Sequence, residues 1–365
     1  MKIAFDAKRF FHNNSGLGNY SRDLVRILAT YFPENSYLLL NKEQSDRGKE
    51  IVELPGVSFI ETSGSFLSRQ INMGKEAQDA GAEMFHGLSG ELPMKWNDRP
   101  IKKVVTIHDL IFMRYPKYYS WLDRKIYFWK FKKAAESADL IIAISEQTKR
   151  DIIHYLKISP DKITVVYQGC HAAFRNETDK STEKKLRDAH QLPERFILSV
   201  GTIEPRKNLL NTVKSIHGTD IPLVVVGRKT KFYKKVQAYI KKHRMQSQVQ
   251  FVGSLTMDEL AGLYKMADVF VYPSFFEGFG IPVIEALFSG TPVITSNTSS
   301  LPEAGGPDSM YVDPGNTEDL RSKILFLWSN EAERTRRAEK GKVYVQKFSD
   351  ERVSGDVMKA YRSIL

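Results

Sequence analysis

Short runs of apolar residues alternate along the chain with longer stretches of helical periodicity. Several runs in the first half are hydrophobic throughout, which is typical of strands covered on both faces in a parallel sheet. The runs in the first half are residues 3–5, 37–40, 57–60, 104–107, 140–144 and 163–166. This alternation predicts an α/β domain with helices between parallel strands.

A second series of apolar runs follows in the second half of the chain. It consists of residues 196–200, 223–226, 249–252, 269–272 and 292–295. Gly201, Gly227 and Gly253 directly follow three of them, and glycine is used where a backbone turns tightly or approaches a ligand. Because ligands of doubly wound sheets bind at the carboxyl ends of the strands, we predict two Rossmann-like domains with binding loops at these ends.

A polar, charged stretch separates the two series. We predict a first domain at 1–178, a linker at 179–194 and a second domain at 195–348. The last stretch, 349–365, has acidic residues in its first turn and apolar residues at Val353, Val357, Tyr361 and Ile364. That spacing predicts a helix with one buried face.

Composition narrows the class of protein. A length of 365 residues favours two domains, and 42% apolar with 27% charged residues is typical of a soluble globular protein. The single cysteine, Cys170, excludes an intrachain disulfide and fits a reducing cytoplasm. No run approaches the ~18 apolar residues of a membrane span, and no signal peptide precedes the first strand. We therefore expect a cytoplasmic protein, with peripheral contact at the inner face of the cell membrane left open.

The net charge of +11 indicates an anionic partner. Residues 114–133 interleave aromatic residues with lysine and arginine, a pattern that suits a helix lying on an anionic membrane. The same pattern suits an acceptor-binding surface, nucleic acid, or a core helix whose lysines extend to solvent. Sequence alone leaves these alternatives open, although nucleic acid is the least favoured.

Candidate chemistry concentrates between residues 269 and 288. A short strand is followed by a glycine-rich turn carrying Glu277 and by a predicted helix over residues 281–288 that carries Glu285. A turn leading into a helix N-terminus presents backbone N–H groups to an anion, whereas the two carboxylates would accept hydrogen bonds from hydroxyls. This combination predicts a nucleotide diphosphate sugar as ligand. A surface loop with solvated glutamates remains the alternative.

Arg206 and Lys207 follow the first strand of the second domain. Adjacent cations at the start of a helix are disfavoured by the helix dipole, so a role in binding phosphate is the better explanation for them. Arginine can hold phosphate oxygens through two parallel hydrogen bonds, and lysine acts as a point charge.

These segments, taken together, resemble the retaining GT-B glycosyltransferases of family 4. The resemblance rests on residues 277–280 with Glu285 eight positions later, on 201–208, and on three further segments at 16–20, 106–110 and 249–253. It covers nearly the whole chain in the family's order. It implies two Rossmann-like doubly wound domains facing across a cleft, an acceptor domain completed by the C-terminal helix 349–365, and a second domain that binds the nucleotide-sugar donor.

The resemblance also implies roles in the second domain. Glu285 would bind the ribose hydroxyls, Glu277 would lie beside the transferred sugar, and Arg206 and Lys207 would hold the diphosphate. Further donor contacts are implied for the base, sugar and phosphates. They would come from Gly201, Phe251, Gly253, Phe279, Gly280 and Ile281.

In the first domain the resemblance implies that Gly16 and Gly18 let the backbone approach the donor phosphate and the acceptor. His108 would contact the transferred sugar or the acceptor as a positioning group, and Asp109 would contact the acceptor. In the family the departing phosphate is thought to take the acceptor's proton. We expect no cofactor and no metal, because the chain contains no Asp-x-Asp pair and no clustered histidines that would chelate one.

The predicted function is therefore a retaining glycosyltransferase that moves a hexose onto a glycan or lipid-linked glycan in surface polysaccharide synthesis. Mannose from GDP-mannose is the specific prediction. A nucleotide-sugar epimerase of the same fold and a basic membrane-binding protein without catalysis are the alternatives. A Rossmann dehydrogenase is disfavoured, because Gly16 and Gly18 are not followed by the third glycine of that fingerprint.

Overall fold

A computed structural model describes residues 1–13, 15–63, 66–98, 100–176 and 180–365. The strands are β1 (Lys2–Asp6), β2 (Ser36–Asn41), β3 (Val57–Glu61), β4 (Met84–Gly87), β5 (Lys102–Ile107), β6 (Leu140–Ala143), β7 (Ile163–Val165), β8 (Ile197–Val200), β9 (Leu223–Val226), β10 (Val249–Val252), β11 (Val269–Tyr272), β12 (Val293–Ser296) and β13 (Met310–Val312). The α-helices are α1 (Lys8–His12), α2 (Gly16–Tyr31), α3 (Lys49–Val52), α4 (Phe66–Asp79), α5 (Ile111–Arg114), α6 (Trp121–Ser137), α7 (Glu146–Asp151), α8 (Lys180–His190), α9 (Leu209–Ser215), α10 (Tyr233–Lys242), α11 (Met257–Met266), α12 (Ile281–Phe288), α13 (Leu301–Gly305), α14 (Thr317–Ser329), α15 (Glu331–Val345) and α16 (Asp350–Arg362).

The chain divides into two compact units. The first comprises Met1–Gln168 with Ser349–Leu365, and the second comprises Gly169–Phe348. The division falls ten residues before the predicted boundary at 178, so the segment predicted as a linker belongs to the second unit. Residues 177–179 lie outside the described part. The rest of that segment includes helix α8 and the buried side chains of Leu186 and Leu192, which a solvated linker would not bury.

The first unit is built on a seven-stranded parallel sheet in the order β3-β2-β1-β4-β5-β6-β7. Strand β1, which lies between β2 and β4, is buried on both faces, as its apolar sequence predicts. Ile3 and Phe5 lie in the cluster that includes residues of α2 and α16, whereas Ala4 lies in the opposite cluster with residues of α4. Strand β4 was not predicted, because four residues that include His86 and Gly87 carry little strand signal.

The second unit is built on a six-stranded parallel sheet in the order β10-β9-β8-β11-β12-β13. The strand order reverses between β8 and β11, the position at which doubly wound sheets bind ligands. Both candidate segments of this unit, 201–208 and 273–280, follow these two neighbouring strands. The short edge strand β13 was also missed by the sequence analysis. Together the two sheets confirm the predicted α/β class with two Rossmann-like domains.

Two helices that bear on function have clear local causes. Helix α12 occupies the predicted residues. Pro282 lies in its first turn, where a backbone N–H has no partner within the helix, so the N–H that proline lacks is not needed. Helix α16 begins after Ser349, whose hydroxyl accepts a hydrogen bond from the backbone of Arg352. It packs against α2, with Tyr361 fully buried, and so belongs to the first unit. Among the helices of the described residues, none is long and apolar enough to cross a membrane.

Candidate functional site

The carboxylate of Glu277 is the centre of a compact polar cluster in the second unit. The hydroxyls of Tyr272 and Ser274 donate hydrogen bonds to it at 2.7 and 2.8 Å. Arg206 Nη1 lies 2.7 Å from one carboxylate oxygen, and Lys207 Nζ lies 3.4 Å from the other. The structure thus brings together three predicted residues from the loops after β8 and β11.

These charges are largely removed from water. The side chains of Arg206, Lys207 and Glu277 are 15%, 18% and 12% exposed. Burial by itself would raise the pKa of Glu277, but the positive charges of Lys207 and Arg206 and the hydrogen bonds outweigh it and lower that pKa to about 2. Burial opposes the charge of Arg206 as well, yet the carboxylate of Glu277 raises its pKa above the usual value.

Arg206 is anchored at both ends of its guanidinium group. Its second terminal nitrogen lies 2.7 Å from Glu204 Oε1, and the first also donates to the carbonyl of Phe276. Its own backbone carbonyl accepts from the backbone N–H of Phe275 at 2.9 Å. The loop after β8 is therefore tied to the loop after β11 by side-chain and main-chain bonds.

Glu285 occupies a different environment on α12. The hydroxyl of the fully buried Tyr264 donates to it at 2.9 Å. Burial raises the pKa of Glu285 to about 7, because the Tyr264 hydrogen bond and the charge of Lys207 only partly offset the loss of hydration. The pKa values of these two glutamates, eight positions apart in the sequence, are therefore shifted in opposite directions.

Glycine geometry shapes the turns beside this cluster. Gly280 has φ 122°, and a Cβ there would lie 3.1 Å from Leu301 Cδ2. Gly201 has φ 139°, and a Cβ there would lie 3.0 Å from Lys207 Cδ. Of the neighbouring positions, Phe279 is buried in the core, and Ile281 is the first residue of α12.

Phe251 and Gly253 lie farther along the sheet. They come at the end of the edge strand β10, which β9 separates from β8. Phe251 packs edge-to-face against Tyr233 at 5.1 Å between ring centres. A Cβ on Gly253 would meet no atom within 4 Å, so open space lies beside this turn.

In the first unit, Gly16 and Gly18 open helix α2. A Cβ on Gly18 would lie 2.0 Å from the carbonyl oxygen of Asn13, so this glycine is required by the packing of its own loop. A Cβ on Gly16 would meet no atom within 4 Å. Of these two glycines, Gly16 is therefore the one that borders space that a ligand could use.

His108 follows β5, and both of its ring nitrogens have protein partners. Nε2 donates to the carbonyl of Leu88 at 2.9 Å, and Nδ1 accepts from the amide of Gln168 at 2.9 Å. Burial lowers the pKa of His108 to about 4, so the ring is neutral at pH 7. Asp109 accepts a hydrogen bond from the backbone of Ile111 at 3.0 Å, which holds the turn before α5.

A buried chain of polar groups that the sequence analysis missed lies next to His108. The phenol of Tyr361 lies 2.6 Å from His86 Nδ1, and His86 Nε2 lies 2.8 Å from the hydroxyl of Thr106. That hydroxyl lies 3.0 Å from the hydroxyl of Tyr20, whose ring packs on His108 at 4.6 Å. Burial and the nearby His108 lower the pKa of His86 to about 3.

A cavity of about 250 Å³ lies where the strand order of the first sheet reverses, after β1 and β4. It is lined by Lys8, Arg9, His12, Asn13, Arg69, Ser89 and Glu91. Arg69 forms ion pairs with Asp6 and Glu91, and Arg9 donates to Ser89 at 2.9 Å. Lys8 and Arg9 follow β1 directly, but no motif in the sequence analysis singled them out.

Comparison with known proteins identifies the family. The sequence pattern of the family described as "Glycosyl transferases group 1" matches residues 181–344, and that of "Glycosyltransferase Family 4" matches residues 81–174. The chain belongs to the group 1 glycosyltransferases of family 4. The prediction of a glycosyltransferase is therefore confirmed.

This glycosyltransferase is 26% identical to the O-antigen chain mannosyltransferase B of Escherichia coli, over 99% of this chain and 100% of that protein. Among solved structures it resembles the sucrose-phosphate synthase of Thermosynechococcus elongatus, with a TM-score of 0.80 and 21% identity over 100% of this chain and 99% of that one. It also resembles Anabaena HepE in complex with UDP-glucose, with a TM-score of 0.77 and 16% identity over 100% of both chains. At these identities the structural likenesses establish the GT-B fold.

Proposed function

We propose that this glycosyltransferase transfers a mannosyl residue from a nucleoside diphosphate sugar to a glycan acceptor in surface polysaccharide synthesis, with retention at the anomeric carbon. The observation that carries the proposal is the cluster of Arg206, Lys207 and Glu277 at the point where the strand order reverses. Similarity over the full length of an O-antigen mannosyltransferase supports the choice of sugar and acceptor class. The lone cysteine, Cys170, supports the reducing cytoplasm as the place of reaction.

In this proposal Arg206 and Lys207 stabilise the departing diphosphate. Both cations are already held in place by Glu277, so they need little reorganisation when negative charge develops on the leaving group. Glu277, with a pKa of about 2, stays ionised and can accept a hydrogen bond from a sugar hydroxyl. Two fixed cations give the reaction a route without a metal ion, so we expect turnover in the presence of EDTA.

The bond changes follow from retention. The bond between the anomeric carbon and the phosphate oxygen breaks, and the acceptor oxygen bonds to that carbon on the same face. We assign the acceptor's proton to the departing phosphate oxygen. His108 is a poor base for this step, since its ring nitrogens are bonded to Leu88 and Gln168 and its pKa is about 4. We assign His108 a positioning role, and Asp109 an acceptor contact.

Glu285 and the open turns complete the proposed donor site. The carboxylate of Glu285 would bind the ribose hydroxyls, and the turn containing Phe251 and Gly253 would border the base. Backbone groups of Gly201 and of residues 279–281 would meet the sugar and phosphates. In the first unit, the space beside Gly16 would admit the phosphate or the acceptor.

A donor screen tests the proposal. GDP-mannose, UDP-glucose and ADP-glucose are incubated with the protein, with and without EDTA, and thermal stability is measured for each, because a ligand of the folded state raises its stability. We expect GDP-mannose to stabilise the protein, and Arg206→Ala and Glu285→Ala to remove the effect. NMR of the product made with an acceptor glycan should then show the donor's anomeric configuration.

The other outcomes point to other functions. Conversion of the donor sugar without any acceptor would indicate an epimerase. If none of the nucleotide sugars raised the thermal stability, the protein would not bind a donor and the proposed activity would be excluded. Loss of turnover in EDTA would exclude the metal-free route, and an inverted product would exclude retention.

A further inference from the structure

Helix α6 is apolar on two opposite sides. On the inner side, Phe128, Phe131, Ala134 and Ala135 belong to the hydrophobic cluster that covers β5 and β6. Outside, Trp121, Leu122, Ile126 and Trp129 are exposed. A helix at the surface of a globular domain normally carries polar residues there. The unburied side is therefore unusual for a helix that only completes the core.

The exposed residues form one continuous surface. Leu122, Ile126 and Trp129 recur at intervals of four and three positions, which aligns them along one face of the helix. Trp121 lies in the first turn of the same helix. The exposed fractions of Trp121, Leu122 and Trp129 are 69%, 60% and 50%. We call this surface the outer face of α6; it consists of Trp121, Leu122, Ile126 and Trp129.

Lysines border the outer face in contact with its rings. Lys125 Nζ lies 5.7 Å from the centre of the Trp121 ring, and Lys133 Nζ lies 5.2 Å from that of Trp129. Lys132, the residue before Lys133 on α6, has its Nζ 3.8 Å from Glu136 Oε1. Each ring is thus paired with a cation on a flexible stem that can extend away from an apolar phase.

The surface continues on both sides of the helix. Before α6, Tyr118 is exposed and Lys117 Nζ lies 5.6 Å from its ring centre. Beside α6, a cavity of about 130 Å³ is lined by Trp129 together with Trp96 and Lys103. Aromatic rings alternate with lysines throughout this area.

We propose that the outer face of α6 docks on an anionic lipid bilayer. Aliphatic and indole side chains can enter the boundary between headgroups and acyl chains, and the bordering lysines can pair with lipid phosphates. The charges agree in sign, because the chain carries a net charge of +11. Leu122 and Ile126 favour lipid over nucleic acid, since they offer no ring on which bases could stack.

Vesicle sedimentation tests the proposal on the full-length protein. The vesicles contain phosphatidylcholine alone or with roughly one third phosphatidylglycerol, a mixture with a negative surface potential. We expect binding to the mixed vesicles that weakens with salt. Trp121→Ser, Leu122→Ser and Trp129→Ser combined should abolish it. Lys125→Glu, Lys132→Glu and Lys133→Glu combined should weaken it by at least roughly 100-fold, because each lysine near an anionic surface contributes a factor of roughly five and each glutamate adds repulsion.

Two matched variants control for general changes in charge and hydrophobicity. Lys234→Glu, Lys235→Glu and Lys242→Glu make the same charge change on exposed lysines of α10. Leu325→Ser, Phe326→Ser and Val343→Ser remove exposed apolar side chains of α14 and α15. Both control variants should bind the mixed vesicles as the wild type does. These two variants and the two α6 variants should all unfold at the wild-type temperature.

Three outcomes would overturn the proposal. The first is that the α6 variants, while folded, bind the mixed vesicles as strongly as the wild type does. The second is that the α10 variant loses as much vesicle binding as the α6 lysine variant, which would show that only the net charge matters. The third is a dimer in analytical ultracentrifugation that the α6 serine variant dissociates, with no vesicle binding by the wild type. That result would assign the outer face to a second copy of the chain.

Discussion

Glu277 and Glu285 show how far the surroundings of a residue decide its chemistry. Both are carboxylates in buried parts of the second unit. Glu277 faces two cations and has a pKa of about 2, whereas Glu285 faces the neutral phenol of Tyr264 and has a pKa of about 7. The first is a permanent anion at physiological pH, and the second changes its protonation there.

The raised pKa of Glu285 predicts a pH dependence of stability. Between its ordinary value of 4.5 and the folded value of about 7, the folded chain keeps a proton that the unfolded chain has lost. The free energy of unfolding therefore falls as the pH rises through this range, by about 3 kcal/mol in total. Urea unfolding should show a decline of about 2.5 kcal/mol from pH 5 to pH 8 that Glu285→Gln lacks.

Glu277→Gln provides the control for this measurement. The pKa of Glu277 is lowered, so its contribution to stability is present above 4.5 and is lost only as the pH falls toward 2. The decline between pH 5 and pH 8 should therefore persist in Glu277→Gln. An unchanged decline in Glu285→Gln would show that another group is responsible.

Glu285 also predicts how nucleotide binding responds to pH. An ionised carboxylate accepts hydrogen bonds from both ribose hydroxyls, whereas a protonated one loses acceptor capacity. Titration calorimetry with the nucleoside diphosphate should show tighter binding as the pH rises from 6 to 8. Glu285→Gln should bind weakly at both pH values. Equal wild-type affinity at both would contradict the ribose role.

Gly16 and Gly18, both in the first turn of α2, predict different effects of the same substitution. Gly18→Ala would place a Cβ 2.0 Å from the Asn13 carbonyl oxygen, so the loop must shift and the free energy of unfolding should fall by about 2 kcal/mol. Gly16→Ala meets no atom within 4 Å and should leave stability unchanged or slightly higher. If Gly16 borders a substrate, its alanine variant should lose activity while it remains stably folded. Full activity would remove Gly16 from the proposed site.

At the scale of elements, α16 is the last helix in the chain but part of the first unit. Arg26 of α2 lies 2.9 Å from Asp350, and Tyr361 meets His86 in the buried polar chain. A chain ending at Phe348 would expose the apolar residues that α16 covers and leave His86 without its phenol partner. The sheet of the first unit should then lose its stability, whereas that of the second should not.

Hydrogen exchange measures this separation. In the chain ending at Phe348, the backbone amides of β1, β4 and β5 should exchange far faster, and those of β8 and β11 should stay protected. A chain lacking only Leu365, which is exposed, should resemble the wild type. Equal loss of protection in both units would show that the units do not unfold separately.

At the scale of the whole molecule, the residues proposed to hold the diphosphate and ribose belong to one unit. Arg206, Lys207, Glu277 and Glu285 all lie within Gly169–Phe348. A nucleoside diphosphate at 100 times its Kd should add about 2.7 kcal/mol to the free energy of unfolding of the unit that binds it. Hydrogen exchange should show the largest gain of protection at residues 199–208 and 272–285. Arg206→Ala should lose this protection, and a gain confined to the first unit would contradict the assignment.

Much of the fold was predictable because it depends on local patterns. Parallel strands buried on both faces have apolar runs, and the helix at 281–288 was predicted at the residues it occupies. The missed strands are short: Met84–Gly87 includes His86 and Gly87, and Met310–Val312 has only three residues. Their positions are set by neighbouring strands rather than by their own residues.

The candidate site was predictable in its main residues but not in its interactions. Motif spacing indicated Arg206, Lys207 and Glu277, which the structure joins in one cluster. Tyr264 and Tyr272 carried no separate signal, because a tyrosine in an apolar run is typical of the core. Tyr264 donates to Glu285 from 21 positions away, and Tyr272 donates to Glu277 from five positions away; only the folded backbone decides that these hydroxyls meet these carboxylates.

The sequence by itself determined the class of fold, the positions of the glycine turns and the family, since these follow from periodicity, from the conformational freedom of glycine and from short motifs in order. Only the tertiary structure decided which charges meet about 70 positions apart, as Lys207 and Glu277 do. It also decided that Glu285 holds a proton near neutral pH, and that α6 leaves an apolar face uncovered. Burial and the approach of distant side chains set these properties, because hydration and Coulomb energies depend on distances in space.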